Sequence, residues 1–156
     1  MKRTKIKKGL KNKGLVIASG YFNPLHIGHL DYLREAKKLG NRLLVIINND
    51  EQVKAKGNIS FMNQKDRMKI IMSLQFVDTV MVSADKDKTV CETLRLIPLY
   101  HKADRMIFAN GGDRREEDVP EKEICDKLGI EMVYGVGGEK KESSSSLIKN
   151  VQEKDY

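Results

Sequence analysis

Leu15-Val16-Ile17-Ala18-Ser19-Gly20-Tyr21-Phe22-Asn23-Pro24-Leu25-His26-Ile27-Gly28-His29-Leu30 passes from a short apolar run, through Gly, Asn and Pro, into a segment with helical spacing. Leu15 to Ser19 reads as a strand. Leu30, Leu33, Ala36 and Leu39 recur as one helical face, with Gly40 where a left-handed C-cap would sit. A strand followed directly by a helix is the first half of a βα unit, and the rest of the chain repeats it.

Leu43 to Ile47 is an uninterrupted branched run of the kind that lies inside a parallel sheet, covered on both faces. Asn48-Asn49-Asp50 then reads as a turn. Asn63 is placed to cap the amide of Asp66 and open a helix through Met68, Ile71, Met72 and Leu74, a stripe read as core. Thr79 to Ser83 is a third strand, and Thr89 to Ile97 a helix closed before Pro98. Met106 to Ala109 is a fourth strand, Pro120 opens a helix at N1 that Gly129 closes, Met132 to Tyr134 is a fifth strand, and a last helix starts at Ser145. The sum is an α/β fold, a doubly wound (Rossmann-like) five-stranded parallel sheet with helices on both faces in a single domain. Ligands then bind beyond the carboxyl ends of the strands.

Of 156 residues, 29 are Lys or Arg and 22 are Asp or Glu, giving a formal charge of +7. Lys2, Arg3, Lys5, Lys7, Lys8, Lys11 and Lys13 supply that whole excess, which leaves 22 bases against 22 acids from Gly14 onward. The excess belongs to a basic tail over residues 1–13, so nucleic acid is not the expected partner of the body. No apolar run is long enough to span a bilayer or to form a signal-peptide core, and the protein is expected to be soluble and cytoplasmic. Cys91 and Cys125 stand far apart, without zinc or CxxC spacing, and read as buried thiols.

The loop after the first strand carries His26-Ile27-Gly28-His29 at the mouth of a helix. Such a position suits a polyphosphate, because a helix amino terminus offers amides and partial positive charge, and Gly28 lets a phosphate approach the backbone. Two imidazoles three residues apart share a face and can stabilise charge gathering on a phosphorus under attack. A GxxxxGK[ST] loop, a GxGxxG fingerprint and a carboxylate pair for glycoside hydrolysis are all missing from the sequence, which sets aside ATPase, dehydrogenase and glycosidase readings.

From about Leu15 to Val151 the sequence resembles the HxGH nucleotidyltransferase superfamily, and within it the cytidylyltransferase-like branch of glycerol-3-phosphate cytidylyltransferases and ADP-heptose-forming domains. The GxFDxxHxGH opening of that branch appears as Gly20-Tyr21-Phe22-Asn23-Pro24-Leu25-His26-Ile27-Gly28-His29, with Asn23 in place of the usual Asp. The FNPxHxGH form also resembles nicotinate or nicotinamide mononucleotide adenylyltransferases. Lys56-Gly57, Arg67, Val77-Asp78 and Gly111-Gly112-Asp113-Arg114 match further motifs in order. The final RTxGISTT motif survives as Ser143-Ser144-Ser145-Ser146 without its Arg, for which Lys140 or Lys141 is the candidate replacement.

The resemblance implies a domain over residues 14–156 that transfers a nucleoside monophosphate from CTP or ATP to a phosphorylated small-molecule acceptor, such as a polyol or sugar phosphate, releasing pyrophosphate. A mononucleotide adenylyltransferase of coenzyme synthesis and a non-catalytic nucleotide-binding module are the alternatives. His26, His29, Lys56 and Arg67 are the expected catalytic residues. Gly20, Tyr21, Phe22, Gly28, Gly111, Gly112, Asp113, Arg114, Ser144, Ser145 and Ser146 are expected to bind the nucleotide, and Lys54 and Lys86 the acceptor. Mg2+ is expected to bridge substrate phosphates without a metal ligand from the protein, and the family commonly forms homodimers. Removal of residues 1–13 should leave the transfer rate unchanged in a pyrophosphate-release assay; a large loss of rate would place the tail in the reaction.

Overall fold

The computed structural model describes residues 14–112, 114–138 and 144–153. The basic tail, Asp113, Lys140, Lys141 and Ser143 lie outside the described residues. Five strands, β1 (Gly14–Gly20), β2 (Arg42–Ile47), β3 (Thr79–Val82), β4 (Arg105–Gly111) and β5 (Glu131–Val136), pair in parallel in the order β3-β2-β1-β4-β5. The helices are α1 (Ile27–Lys37), α2 (Asp50–Ala55), α3 (Gln64–Met72), α4 (Cys91–Tyr100), α5 (Lys122–Leu128) and α6 (Ser144–Gln152). The architecture is the doubly wound parallel sheet read from the sequence.

The two faces of the sheet bury separate cores, because alternate residues of a strand point to opposite sides. Val16, Leu43, Val45, Ile47 and Ile107 pack with Leu33 and Ala36 of α1 and Ile71 of α3. On the other face Leu15, Ile17, Leu44, Ile46 and Phe108 pack with Leu94 and Ile97 of α4 and with Ile124 and Cys125 of α5. Leu43 to Ile47 are all fully buried, as expected of an inner strand.

Several local expectations are corrected. Asn48-Asn49-Asp50 leads into the unpredicted helix α2, where Asn49 accepts from the Gln52 amide at 2.9 Å and the Gln52 side chain accepts from the Asn49 amide at 2.9 Å. This is a capping box, and Asn49-x-x-Gln52 was its visible signal. Helix α1 begins at Ile27, not Leu30, and its C-cap is right-handed Lys38. Gly40 serves another purpose: a Cβ there would stand 2.4 Å from the Gly14 carbonyl oxygen, so the residue is set by close approach of two backbones. Pro98 lies inside α4 near its end, where its missing N–H costs a single backbone bond. Pro120 precedes the N-cap Glu121 of α5, while Gly129 closes that helix at φ 69° as read. Met68 packs on the core, but Met72 is 58% exposed. Asn63 does accept from the Asp66 amide, at 3.0 Å. Cys125 is buried and Cys91 only half-buried.

Candidate functional site

Strand order fixes where a crevice can open. The chain moves outward from β1 to β2 and β3, then crosses back to β4, so α1 after β1 and α5 after β4 leave on opposite faces. The β1–β4 ladder ends at Ile17 opposite Phe108, although β1 runs on to Gly20 and β4 to Gly111. Tyr32 of α1 fills the split. Its hydroxyl accepts from the Ser19 amide at 3.3 Å and donates to the Ala109 carbonyl at 2.6 Å. A Cβ on Gly111 would stand 2.8 Å from the Tyr32 ring, and one on Gly137 2.8 Å from the Tyr32 Cα. These glycines exist so that the tyrosine can enter.

The β1 loop is built on one aromatic anchor. Phe22 adopts φ 50°, is 1% exposed, and lies so close to Gly20 that a Cβ there would meet its ring at 2.8 Å. Its ring meets His29 edge-on, with centroids 4.9 Å apart. His26 is the N-cap of α1: its Nδ1 accepts from the Gly28 amide at 3.1 Å, and the Nδ1 of His29 accepts from the His26 amide at 3.2 Å. The two rings stack with centroids 3.8 Å apart.

This reciprocal cap has two chemical consequences. With Nδ1 an acceptor in both rings, each neutral imidazole carries its proton on Nε2, on the edge turned away from the cap. The helix terminus, by contrast, does not present the free amides expected from the sequence. The amide of Gly28 is taken by His26 Nδ1, and those of His29 and Leu30 return to the His26 carbonyl at 3.0 and 3.2 Å. The Nε2 edges of the histidines, that of His26 buried in this structure, and the helix dipole are the features of this terminus that suit a phosphate.

Arg67 is put to a different use from the phosphate contact expected of it. Its side chain is fully buried, and it donates to the carbonyls of Tyr21 at 2.7 Å, Asn48 at 2.7 Å and Met62 at 3.2 Å, and to the Asp50 carboxylate at 2.9 Å. The guanidinium thus ties the β1 loop, the end of β2, the start of α2 and the approach to α3. Lys56, at the end of α2, holds its Nζ 4.4 Å above the Tyr21 ring. Burial pushes the Tyr21 hydroxyl above its ordinary range, with the Arg114 charge opposing and Glu121 adding to the shift.

Gly112, at φ 63°, and exposed Arg114 follow β4 on the far side of the crevice. Lys54 is exposed and paired with Glu51 at 3.1 Å, and Lys86 is exposed in the loop between β3 and α4. Ser144 and Ser145 open α6, and Ser146 is exposed beside them. Among the described residues no three His, Cys, Asp or Glu gather as a metal site. A cavity of about 560 Å³ is lined by Asp31, Glu35 and Val133 to Gly138, and with two carboxylates and no Lys or Arg in its lining it is a poor seat for a polyanion. Sequence reasoning did not pick out Tyr32, and noted Asn23 only as a departure from the usual Asp. Tyr32 follows His29 by three residues on α1, and that spacing was its only signal.

The cytidylyltransferase-like family model matches residues 17–151. The bifunctional protein HldE of Aliarcobacter butzleri is 35% identical over 90% of this chain and 27% of its own length. The chain thus spans about a quarter of that relative. The FAD synthase of Thermoplasma acidophilum is 30% identical over 74% of this chain and 75% of its own. Among solved structures, a lipopolysaccharide core biosynthesis protein from Thermoplasma volcanium superposes with a TM-score of 0.63 and 26% identity, covering 79% of this chain and 94% of that one.

Tyr32→Phe keeps the ring and removes both strand-bridging bonds, so it should lower stability by about 1–3 kcal/mol in thermal denaturation. Burial also pushes the Tyr32 hydroxyl up to about 12 from an ordinary 10.0, the Ser19 amide and Arg114 opposing. Tyr32 is partly exposed as a residue, yet its hydroxyl is enclosed between two strands. Because the folded state holds this proton longer than the unfolded chain, the stability is fully present below pH 10 and is lost as pH rises toward 12. Cys125, also pushed up to about 12 by burial, adds a similar loss starting nearer pH 9. The alkaline fall in midpoint should accordingly be shallower in Tyr32→Phe than in the wild type; superimposable alkaline limbs would contradict this role.

Proposed function

The chain belongs to the cytidylyltransferase-like family and is a nucleotidyltransferase, and from that premise we propose that it transfers the nucleoside monophosphate of CTP or ATP to a phosphorylated small molecule, a polyol phosphate or a sugar phosphate. The observation that carries this reading is the stacked pair His26 and His29, each with Nδ1 engaged in the cap and Nε2 on the opposite edge, that of His26 buried, at the crevice where β1 and β4 part.

An oxygen of the acceptor phosphate attacks the α-phosphorus, forming one P–O bond. The bond from that phosphorus to the bridging oxygen breaks, and pyrophosphate leaves with the electron pair. The acceptor phosphate has a second pKa near ~6 and is already largely a dianion at neutral pH, so no side chain needs to remove a proton. Catalysis then rests on alignment and on donors placed where charge grows. His26 and His29 supply those donors to the α- and β-phosphates. Lys56 meets the acceptor phosphate, with Lys54 and Lys86 as outer cations. Arg67 is a positioning residue in this scheme, holding the loop that carries Tyr21 and the histidines. Gly111, Gly112, Asp113 and Arg114 line the nucleotide side, and Ser144 to Ser146 close on the β- and γ-phosphates. Mg2+, held through substrate phosphates, supplies charge neutralisation when bound. The enzyme works as a homodimer in the cytoplasm.

A second reading, an adenylyltransferase of coenzyme synthesis, is favoured by Asn23-Pro24 in the histidine loop and by the similarity to FAD synthases, named for a dinucleotide product. A panel of the four triphosphates against polyol, sugar and mononucleotide phosphates separates the two. Pyrophosphate should appear with one pair, and His29→Ala should lower kcat by about 10²- to 10³-fold with the fold retained by circular dichroism. Release of no pyrophosphate from any pair, or a fully active His29→Ala protein, would overturn the mechanism.

A further inference from the structure

Residues 57–62 join α2 to α3 as a strap without regular secondary structure, beginning directly after Lys56. Two of its three large apolar side chains do not hold it down, since Ile59 is 55% and Phe61 51% exposed. Instead its middle is held by a single amide. Asn23, 2% exposed in the histidine loop, donates from Nδ2 to the Ile59 carbonyl at 2.7 Å and accepts at Oδ1 from the Phe61 amide at 2.9 Å. Arg67 holds the far end through the Met62 carbonyl, and left-handed Gly57 turns the near end.

A carboxylate cannot make this pair of bonds. It accepts from Phe61 but has no hydrogen to give Ile59, and two oxygens would then face each other in a buried place. We propose that Asn23 is a positioning residue for the acceptor side of the site: its amide clamps the 57–62 strap against the histidine loop, and so fixes Lys56 and the exposed Ile59 and Phe61 where the acceptor enters. The replacement of the family's usual Asp by Asn is thereby explained by the strap and not by the choice of nucleotide base. This inference rests on the proposed transfer reaction for its kinetic arm only; the clamp itself is read without activity.

The first measurement is amide hydrogen exchange on the wild-type protein. The Phe61 amide should be protected at least about tenfold more than that of Ser60 in the same strap, the factor expected of one buried bond. Asn23→Asp is the informative variant. At about pH 8 its carboxylate should release the strap, with Phe61 protection falling about tenfold and the acceptor KM rising about tenfold, while kcat and the triphosphate KM move less than about threefold. At about pH 5, where burial favours the protonated acid, the carboxyl can again donate to Ile59 and accept from Phe61, and protection and KM should return toward wild type. Each value is taken as a ratio to wild type at the same pH. That ratio cancels the ionisable groups both proteins share around the clamp: His26 and His29 on α1, Lys56 on α2, and the Arg67–Asp50 pair between α3 and α2. Asn23→Ala should show the same defects at both pH values.

An unprotected Phe61 amide in the wild type would overturn the clamp. So would an Asn23→Asp protein that matches wild type at pH 8, or one equally impaired at both pH values. If exchange behaves as stated but no triphosphate and acceptor pair reacts, the clamp stands and the transfer reading fails.

Discussion

One hydroxyl holds open the crevice at which the proposed reaction is set. Parallel strands in the middle of a sheet ordinarily bond along their length, and β1 and β4 do so until Ile17 and Phe108. Beyond that point the Ser19 amide and the Ala109 carbonyl face each other across a gap, and buried backbone groups left unpaired are costly. Tyr32 satisfies both from the side. The strands can therefore part at their carboxyl ends, one loop turning up with α1 and the other continuing to Gly111 and Gly112. Remove that wedge and either the ladder zips further or two polar groups are stranded; neither leaves the same crevice.

Around the crevice, buried polar side chains do the work that apolar packing does deeper in the sheet. Arg67 would be expensive to bury as a bare charge, but it meets three carbonyls and a carboxylate, and so acts as a rigid junction of four segments. Asn49 and Gln52 extend the pattern sideways. Asn49 donates to the carbonyls of Ser83 and Asp85, and Gln52 to those of Asp87 and Thr89, tying the loop before α4 to α2. In that loop Asp85 accepts from the amides of Glu92 and Thr93 and so caps α4 from outside its own first turn. The result is a floor of satisfied amides and one guanidinium. On it the histidines are fixed, and exposed Lys56 stands over the Tyr21 ring.

Much of the fold was legible because strand burial leaves a plain trace: Leu43 to Ile47 and Leu15 to Ala18 are apolar at every position, as two-sided burial requires. Helix α3 was legible from Asn63, whose cap is local in sequence. Some failures were local, as at the overlooked Asn49-x-x-Gln52 box and at Pro98, and others depended on something distant. Gly40 looked like a helix terminator, but what it answers to is the Gly14 backbone. Pro98 looked like a stop, but α4 carries on for two exposed residues because losing one bond near a helix end is cheap. At the site, His26, Gly28 and His29 declared themselves by spacing, whereas the roles of Arg67 and Tyr32 arise from partners 46 and 77 residues away. The charge of the whole chain was the least informative quantity, because its excess sits in the first thirteen residues and the body is balanced.

The central claim is that a nucleoside triphosphate lies across the β1–β4 split with its α- and β-phosphates on the Nε2 edges of the two histidines. A crystal structure with an α,β-methylene nucleoside triphosphate tests it most directly. The account predicts phosphate oxygens within hydrogen-bond distance of the Nε2 atoms of both His26 and His29, and the nucleoside on the Gly111–Gly112 side. Phosphates seated anywhere else, with the stacked histidines untouched, would contradict it.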